Sequence, residues 1–178
     1  AGFIGANFVR WALENHPHVR VVVFDKLTYA GSMENLRDLP HPERFEFFHG
    51  DIASTEDVAK AFTDYTPTHI LNFAAESHVD RSIDGPRAFI DTNIGGTFEL
   101  LEAARHRFVA LPESQRKDFR FLHVSTDEVY GALGAGGYFA EETPDSPNSP
   151  YSASIASAVL LVHAYHLTSV PPTITSNG

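Results

Sequence analysis

Two apolar rhythms alternate along this 178-residue chain. Short β-branched or aromatic runs read as strands, and longer stretches with apolar residues three and four apart read as helices. Phe3 to Asn15 predicts a helix, with Phe3, Phe8, Trp11 and Ala12 among its apolar positions. Val19 to Phe24, ending in Asp25, predicts a buried parallel strand. Ser32 is placed to cap a short helix through Leu39, and Arg44 to Phe48 is a strand closed by Gly50-Asp51. Ser54 with Asp57 three residues on is a capping pattern ahead of Val58–Phe62. His69 to Ala75 is the next strand. Pro86 opens a long helix to about Arg107, with Phe89, Ile90, Ile94, Phe98, Leu101 and Ala104 on related faces. Phe119 to Ser125 is a strand, Gly131 to Pro150 a loop rich in turn residues, Ser152 to Thr168 a helix, and Pro172 to Thr175 the start of a further strand.

Strand and helix alternate throughout, which predicts an α/β fold with a Rossmann-like, doubly wound parallel sheet. Residues 1–178 read as one nucleotide-binding domain. The chain opens inside a motif, at Ala1-Gly2-Phe3-Ile4-Gly5, so a fragment is expected, with the sheet's first strand and a carboxy-terminal substrate domain absent. In the order 3-2-1-4-5-6 that first strand is central. Its loss would leave Val19–Asp25 and His69–Ala75 each short of a neighbour, and no stable cofactor site is expected from these residues alone.

Composition narrows the function. A net charge of −10 with no basic cluster argues against nucleic acid as a partner. The absence of cysteine excludes disulfides and thiolate chemistry. No metal is expected. No apolar run approaches membrane-spanning length and no signal peptide is visible, so no membrane partner and a cytoplasmic location are expected.

Gly2 and Gly5 stand three apart at a helix entrance, as in the latter part of a dinucleotide fingerprint. One glycine would admit a pyrophosphate to the backbone, and the other would let helix and strand pack closely. Asp25 ends the next strand at about the ~20-residue separation expected of an acid that binds the adenosine ribose. An acid there favours NAD over a 2′-phosphorylated cofactor by charge repulsion. The alternative is a carboxylate that merely starts a loop.

Ala74 and Ala75 at a strand end admit a flat or extended ligand, or else pack a helix tightly on the sheet. His78 is either a substrate contact or a surface histidine. Asn93, next to Thr92 inside the long helix, needs a hydrogen-bonding partner if buried, and fixing a neighbouring loop would supply one. The densest chemistry is Thr126-Asp127-Glu128 at the end of the strand FRFLHV, with Tyr151 downstream. Consecutive strand residues point to opposite faces, so both carboxyls reach one pocket only if the strand ends or bends there. Two close carboxyls in a partly dry site are driven to different pKa values, so one donates while the other accepts. A phenol with an ordinary pKa near ~10 needs help to act as a base at neutral pH.

Taken together, AGFIG, FDKLTYAGSMENL, HGDI, NFAAESHVDRSI, DTNIGGTFELLEAAR, HVSTDEVYG and SPYSAS resemble the extended short-chain dehydrogenase/reductases, specifically the dTDP-glucose 4,6-dehydratases of the NAD-dependent epimerase/dehydratase family. The resemblance covers nearly the whole chain. It implies dehydration of a nucleotide-linked hexose: NAD oxidises C4, water leaves across C5–C6, and the hydride returns to C6. It assigns Tyr151 as base for the C4 hydroxyl with Thr126 beside it, Glu128 to the C5 proton and Asp127 to the departing hydroxyl. It places Gly2, Gly5, Asp25, Lys26, Thr28, Gly31, Asp51, Ile52, Ala74, Ala75, Ser77 and Thr92 around NAD, and Asn177 at the start of a substrate-binding loop beside the candidate His78. It also implies a homodimer joined through the two longest helices. The family motif is Tyr-x-x-x-Lys, and Ile155 stands at the lysine. A non-catalytic NAD-binding relative is therefore the alternative reading; a sugar-nucleotide 4-epimerase is disfavoured by the two carboxyls.

Overall fold

The computed structural model describes residues 1–134, 136–140, 142–168 and 171–176. They form two compact units, Ala1–Tyr65 and Thr66–Gly178.

In the first unit, helix α1 (Phe3–Asn15) begins at Gly2 and buries Ala6, Val9, Ala12 and Leu13. Strands β1 (Val21–Asp25) and β2 (Phe45–His49) pair in parallel, Val21 opposite Phe45 through Asp25 opposite His49. The core joins Ala1, Ala6, Val9, Leu13, Val23, Leu36 and Leu39. Arg44 closes the end of α1, its guanidinium donating to the carbonyls of Leu13, His16 and Val19. β1 is less buried than its pattern predicts, with only Val23 fully inside, because it has a single strand neighbour in a two-stranded sheet. Ser32 caps as expected, accepting from the Glu34 amide at 3.2 Å, but the helix is one 3₁₀ turn, Met33–Leu36. Arg37 is already extended and Asp38 adopts φ 52°, so the helix cannot continue to Leu39. Helix α2 (Thr55–Tyr65) starts at the predicted cap, where Ser54 Oγ accepts from the Asp57 amide at 3.2 Å.

In the second unit, β3 (His69–Asn72), β4 (Arg120–Val124) and β5 (Thr173–Ser176) form a parallel sheet in the order β3-β4-β5. β3 stops at Asn72 rather than Ala75, because Asn72 Oδ1 takes the Ala74 amide at 3.1 Å and turns the chain. Helix α3 (Val79–Asp84) follows. The predicted long helix is a helical run with a wide middle: α4 (Arg87–Phe89), a π-helical stretch Ile90–Gly96, then α5 (Thr97–Ala110). An extra residue per turn is accommodated where Gly95-Gly96 weakens the helix and the buried Asn93 side chain is directed away from it. A short helix α6 (Glu113–Arg116) leads into β4. Helix α7 spans Pro150–Thr168 and starts two residues before its predicted start. Ser149 and Ser152 cap each other: Ser149 Oγ accepts from the Ser152 amide at 3.0 Å, and Ser152 Oγ accepts from the Ser149 amide at 3.1 Å. That reciprocal cap, with Pro150 at the first helical position, sets Tyr151 in the first turn.

The parallel sheets and intervening helices give the Rossmann-like α/β fold that the alternation predicts. Among the described residues no helix is long and apolar enough to cross a membrane.

Candidate functional site

In the first unit, the candidate cofactor residues gather at the C-terminal ends of β1 and β2 and at the start of α1. Gly2 precedes the helix in extended backbone, no side chain caps it, and the first turn carries no acid. The first turn of α1 therefore keeps the partial positive charge of a helix N-terminus without an acidic side chain against it. Asp25 Oδ1 accepts from the Leu27 amide at 2.7 Å and Oδ2 from the Ala1 amino group at 2.8 Å. A carboxylate has about four lone-pair sites, so capacity remains for a sugar diol. A Cβ on Gly31 would stand 2.8 Å from Asp25 Oδ1, so glycine lets the Thr28–Gly31 turn close over that carboxylate without pushing it aside. A Cβ on Gly5 would meet nothing within 4 Å. Lys26 pairs with Asp51, whose amide donates to Asp57 Oδ2 at 2.9 Å. Burial pushes the Asp51 carboxyl up, but the Lys26 ammonium and the Ala53 amide outweigh it and hold it below the usual range. Ile52 is buried, and Thr28 is exposed.

In the second unit, the strand ends where the two carboxyls require. Residues Asp127–Tyr130 form a 3₁₀ turn immediately after β4, started by Thr126, whose Oγ1 accepts from the Glu128 amide at 3.4 Å. Gly131 ends the turn at φ 91°, where a Cβ would stand 2.4 Å from the Ser146 carbonyl oxygen; no other residue fits. The turn brings Thr126 and both acids to Tyr151. Burial pushes the Tyr151 phenol up, a hydrogen bond with Thr126 draws it down, and the nearby Glu128 and Asp127 carboxylates add to the rise. Tyr151 meets Phe89 edge to face at 6.3 Å between ring centroids. It belongs to a cluster with Phe89, Val129, Tyr130, Ala156 and Ile155, the last only 3% exposed. Glu128 is half-buried and Asp127 exposed.

Ala74, Ala75, Ser77 and His78 are exposed in the loop after β3, so the alanines are not helix–sheet packing. Thr92 is half-buried on the π-helical stretch. Asn93 is the partnered polar residue that its burial demands. Its Oδ1 accepts from the Glu76 amide at 2.8 Å, and its Nδ2 donates to the Glu76 carbonyl at 3.0 Å and to Ser154 Oγ at 2.8 Å. Asn177 lies outside the described residues. Among the described residues no cluster of histidine and acid side chains could hold a metal. The sequence motif SPYSAS contains Ser149, Ser152 and Ser154 but gives them no role; their capping and tying bonds come only from the folded chain.

A family model described as GDP-mannose 4,6 dehydratase matches residues 1–177. The chain belongs to that family. It is 53% identical over 177 residues to dTDP-glucose 4,6-dehydratase of Xanthomonas campestris pv. campestris, a match covering 99% of this chain and 50% of that protein. It is 47% identical over 186 residues to dTDP-glucose 4,6-dehydratase of Salmonella typhimurium, covering 99% and 51%. The chain thus spans about half the length of the curated relatives it matches. Among solved structures, dTDP-glucose 4,6-dehydratase from Streptomyces venezuelae with NAD bound superposes with a TM-score of 0.87 at 41% identity, over 99% of this chain and 52% of that one. UDP-glucose 4-epimerase from Thermus thermophilus in complex with NAD superposes almost as well, at 0.85, with only 29% identity over 99% and 52% of the two chains. Family members of both activities share the backbone, so side chains must separate them.

Proposed function

We propose that this chain is the NAD-binding portion of a nucleotide-sugar 4,6-dehydratase that converts dTDP-glucose to the 4-keto-6-deoxy sugar. The observation that carries the reading is the 3₁₀ turn Asp127–Tyr130, whose Val129 and Tyr130 pack in one cluster with Tyr151 and so bring Thr126, Asp127 and Glu128 to the side of its phenol. The higher identity to named dehydratases than to the epimerase supports it. NAD, when bound, supplies a hydride acceptor that later gives the hydride back.

In the first unit, the α1 N-terminus with Gly2 and Gly5 holds pyrophosphate, and Asp25 accepts hydrogen bonds from the ribose. Lys26, Thr28, Gly31, Asp51 and Ile52 shape the surroundings. In the second unit, Ala74, Ala75, Ser77 and Thr92 offer a smooth, small-residue surface to the cofactor, and His78 reaches for substrate. Tyr151, hydrogen-bonded by Thr126, takes the proton of the sugar C4 hydroxyl. Glu128 removes the proton at C5, made acidic by the neighbouring ketone. Asp127 delivers a proton to the C6 hydroxyl as it leaves as water. Each positioned proton transfer contributes typically ~10²–10⁴-fold. A homodimer is proposed through α5 and α7, which expose Phe98, Val109, Leu160 and Leu167.

A second reading, an NAD-binding relative without turnover, is favoured by Ile155. It puts a buried hydrocarbon beside a phenol already pushed up by burial and two carboxylates, where a cation would be needed to make a base. In a chain that carries the whole protein, incubation with NAD and dTDP-glucose in deuterated water, followed by NMR, separates the two. Deuterium at C5 and a 4-keto-6-deoxy product support the dehydratase. NAD binding with unchanged sugar supports the second reading, and no NAD binding overturns both.

A further inference from the structure

We infer that Ser154 is a positioning residue that ties the loop after β3 to the backbone of Tyr151. The inference rests on the reading of Tyr151 as the residue that acts on the sugar. Ser154 is 1% exposed and Asn93 is 1% exposed, so neither meets bulk water. Ser154 Oγ donates to the Tyr151 carbonyl at 2.7 Å and accepts from Asn93 Nδ2 at 2.8 Å. The same Asn93 side chain holds both backbone groups of Glu76, at 2.8 and 3.0 Å. One hydroxyl and one amide thus join three segments: the loop carrying Ala74, Ala75, Ser77 and His78, the π-helical stretch carrying Thr92, and the first turn of α7 carrying Tyr151.

The chemistry of the two groups makes the link directional. An amide side chain has two donors and one oxygen with two lone pairs. Asn93 commits its acceptor to the Glu76 amide and its donors to the Glu76 carbonyl and Ser154, so its orientation is determined by both ends. The Ser154 hydroxyl has one proton, and it is given to Tyr151. Removing that hydroxyl leaves a buried amide hydrogen unpaired and frees the loop and the helix turn from each other. Asn93 lies on the π-helical stretch, a local widening of the kind found at functional positions.

Ser157 provides an internal comparison. It lies on the same helix and also bonds backwards, its Oγ to the Ala153 carbonyl at 2.8 Å, but it is only half-buried and, among the described residues, makes no bond to Asn93. The test is amide hydrogen exchange at Glu76 together with the pH titration of the Tyr151 ring carbon, assigned with Tyr151→Phe, in the full chain. Neither readout needs turnover, so a failure of the dehydratase reading and a failure of this one are told apart. In Ser154→Ala, exchange at Glu76 rises about tenfold and the Tyr151 titration moves toward the ordinary tyrosine value, while Ser157→Ala changes neither. Should Ser154→Ala not fold, Ser154→Cys, with a weaker donor of similar shape, shows the same pattern at smaller size. Glu76 exchange within about twofold of the parent, or equal effects of the two serine substitutions, would overturn the proposal.

Discussion

The Tyr165 hydroxyl donates to the Glu102 carboxylate at 2.5 Å, joining α7 to α5 across 63 residues of sequence. Arg105 completes the site, donating to the same carboxylate at 2.8 and 3.1 Å. Arg105 and Tyr165 hold the Glu102 carboxyl down to about 2. Burial and the Glu102 carboxylate push the Tyr165 phenol up to about 12. A lowered acid stabilises the fold above its unfolded value near ~4.3 and loses that contribution as pH falls toward 2. A raised phenol stabilises below ~10 and loses its contribution as pH climbs through 12. Glu102→Gln is expected to flatten the acid limb of the urea midpoint against pH, and Tyr165→Phe the alkaline limb. Unchanged limbs would contradict this.

A second acid-side loss comes from His123. Its Nδ1 accepts from Asn72 Nδ2 at 3.2 Å, and its buried Nε2 has no hydrogen-bond partner among the described residues. Burial holds the imidazole down to about 4. The unfolded chain therefore takes a proton near ~6.5 that the folded chain refuses, and stability present above that pH is lost as pH falls toward 4. Denaturation at neutral pH and near pH ~5 tests this. The parent is expected to weaken over that interval and His123→Gln to lose that part of the slope.

Ile155→Lys is expected to act in two opposed ways. Placing an ammonium in the apolar cluster around Tyr151 destabilises the fold by about 1–3 kcal/mol. The same charge lowers the Tyr151 pKa and, in a chain that carries the whole protein, raises dehydration by orders of magnitude. Equal rates for the two variants would show that this position does not limit the reaction.

Gly31→Ala is expected to weaken NAD binding about tenfold, or ~1.4 kcal/mol, because the new methyl displaces the Asp25 carboxylate from its place over the Leu27 amide. Calorimetry at one pH, on a chain that carries the whole protein, suffices. Parental affinity would remove Asp25 from the ribose.

Periodicity determined the α/β class and the limits of α1, because each depends on a local pattern of apolar residues; the neighbours β1-β2 and β3-β4-β5 followed from the doubly wound strand order, not from any local pattern. The motif run Thr126-Asp127-Glu128 and Tyr151 likewise marked the chemistry, since residue type is legible without coordinates. Tertiary structure decided the rest. β3 stops at Asn72 because its side chain takes a backbone amide, and Asn93, inside the widened stretch of the long helix, serves partners 17 residues before it and 61 after. Whether two adjacent carboxyls share one phenol depended on a turn held open by Gly131 against Ser146. Hydrogen bonds and steric contacts between segments distant in sequence leave no periodic trace, so only the folded chain could assign them.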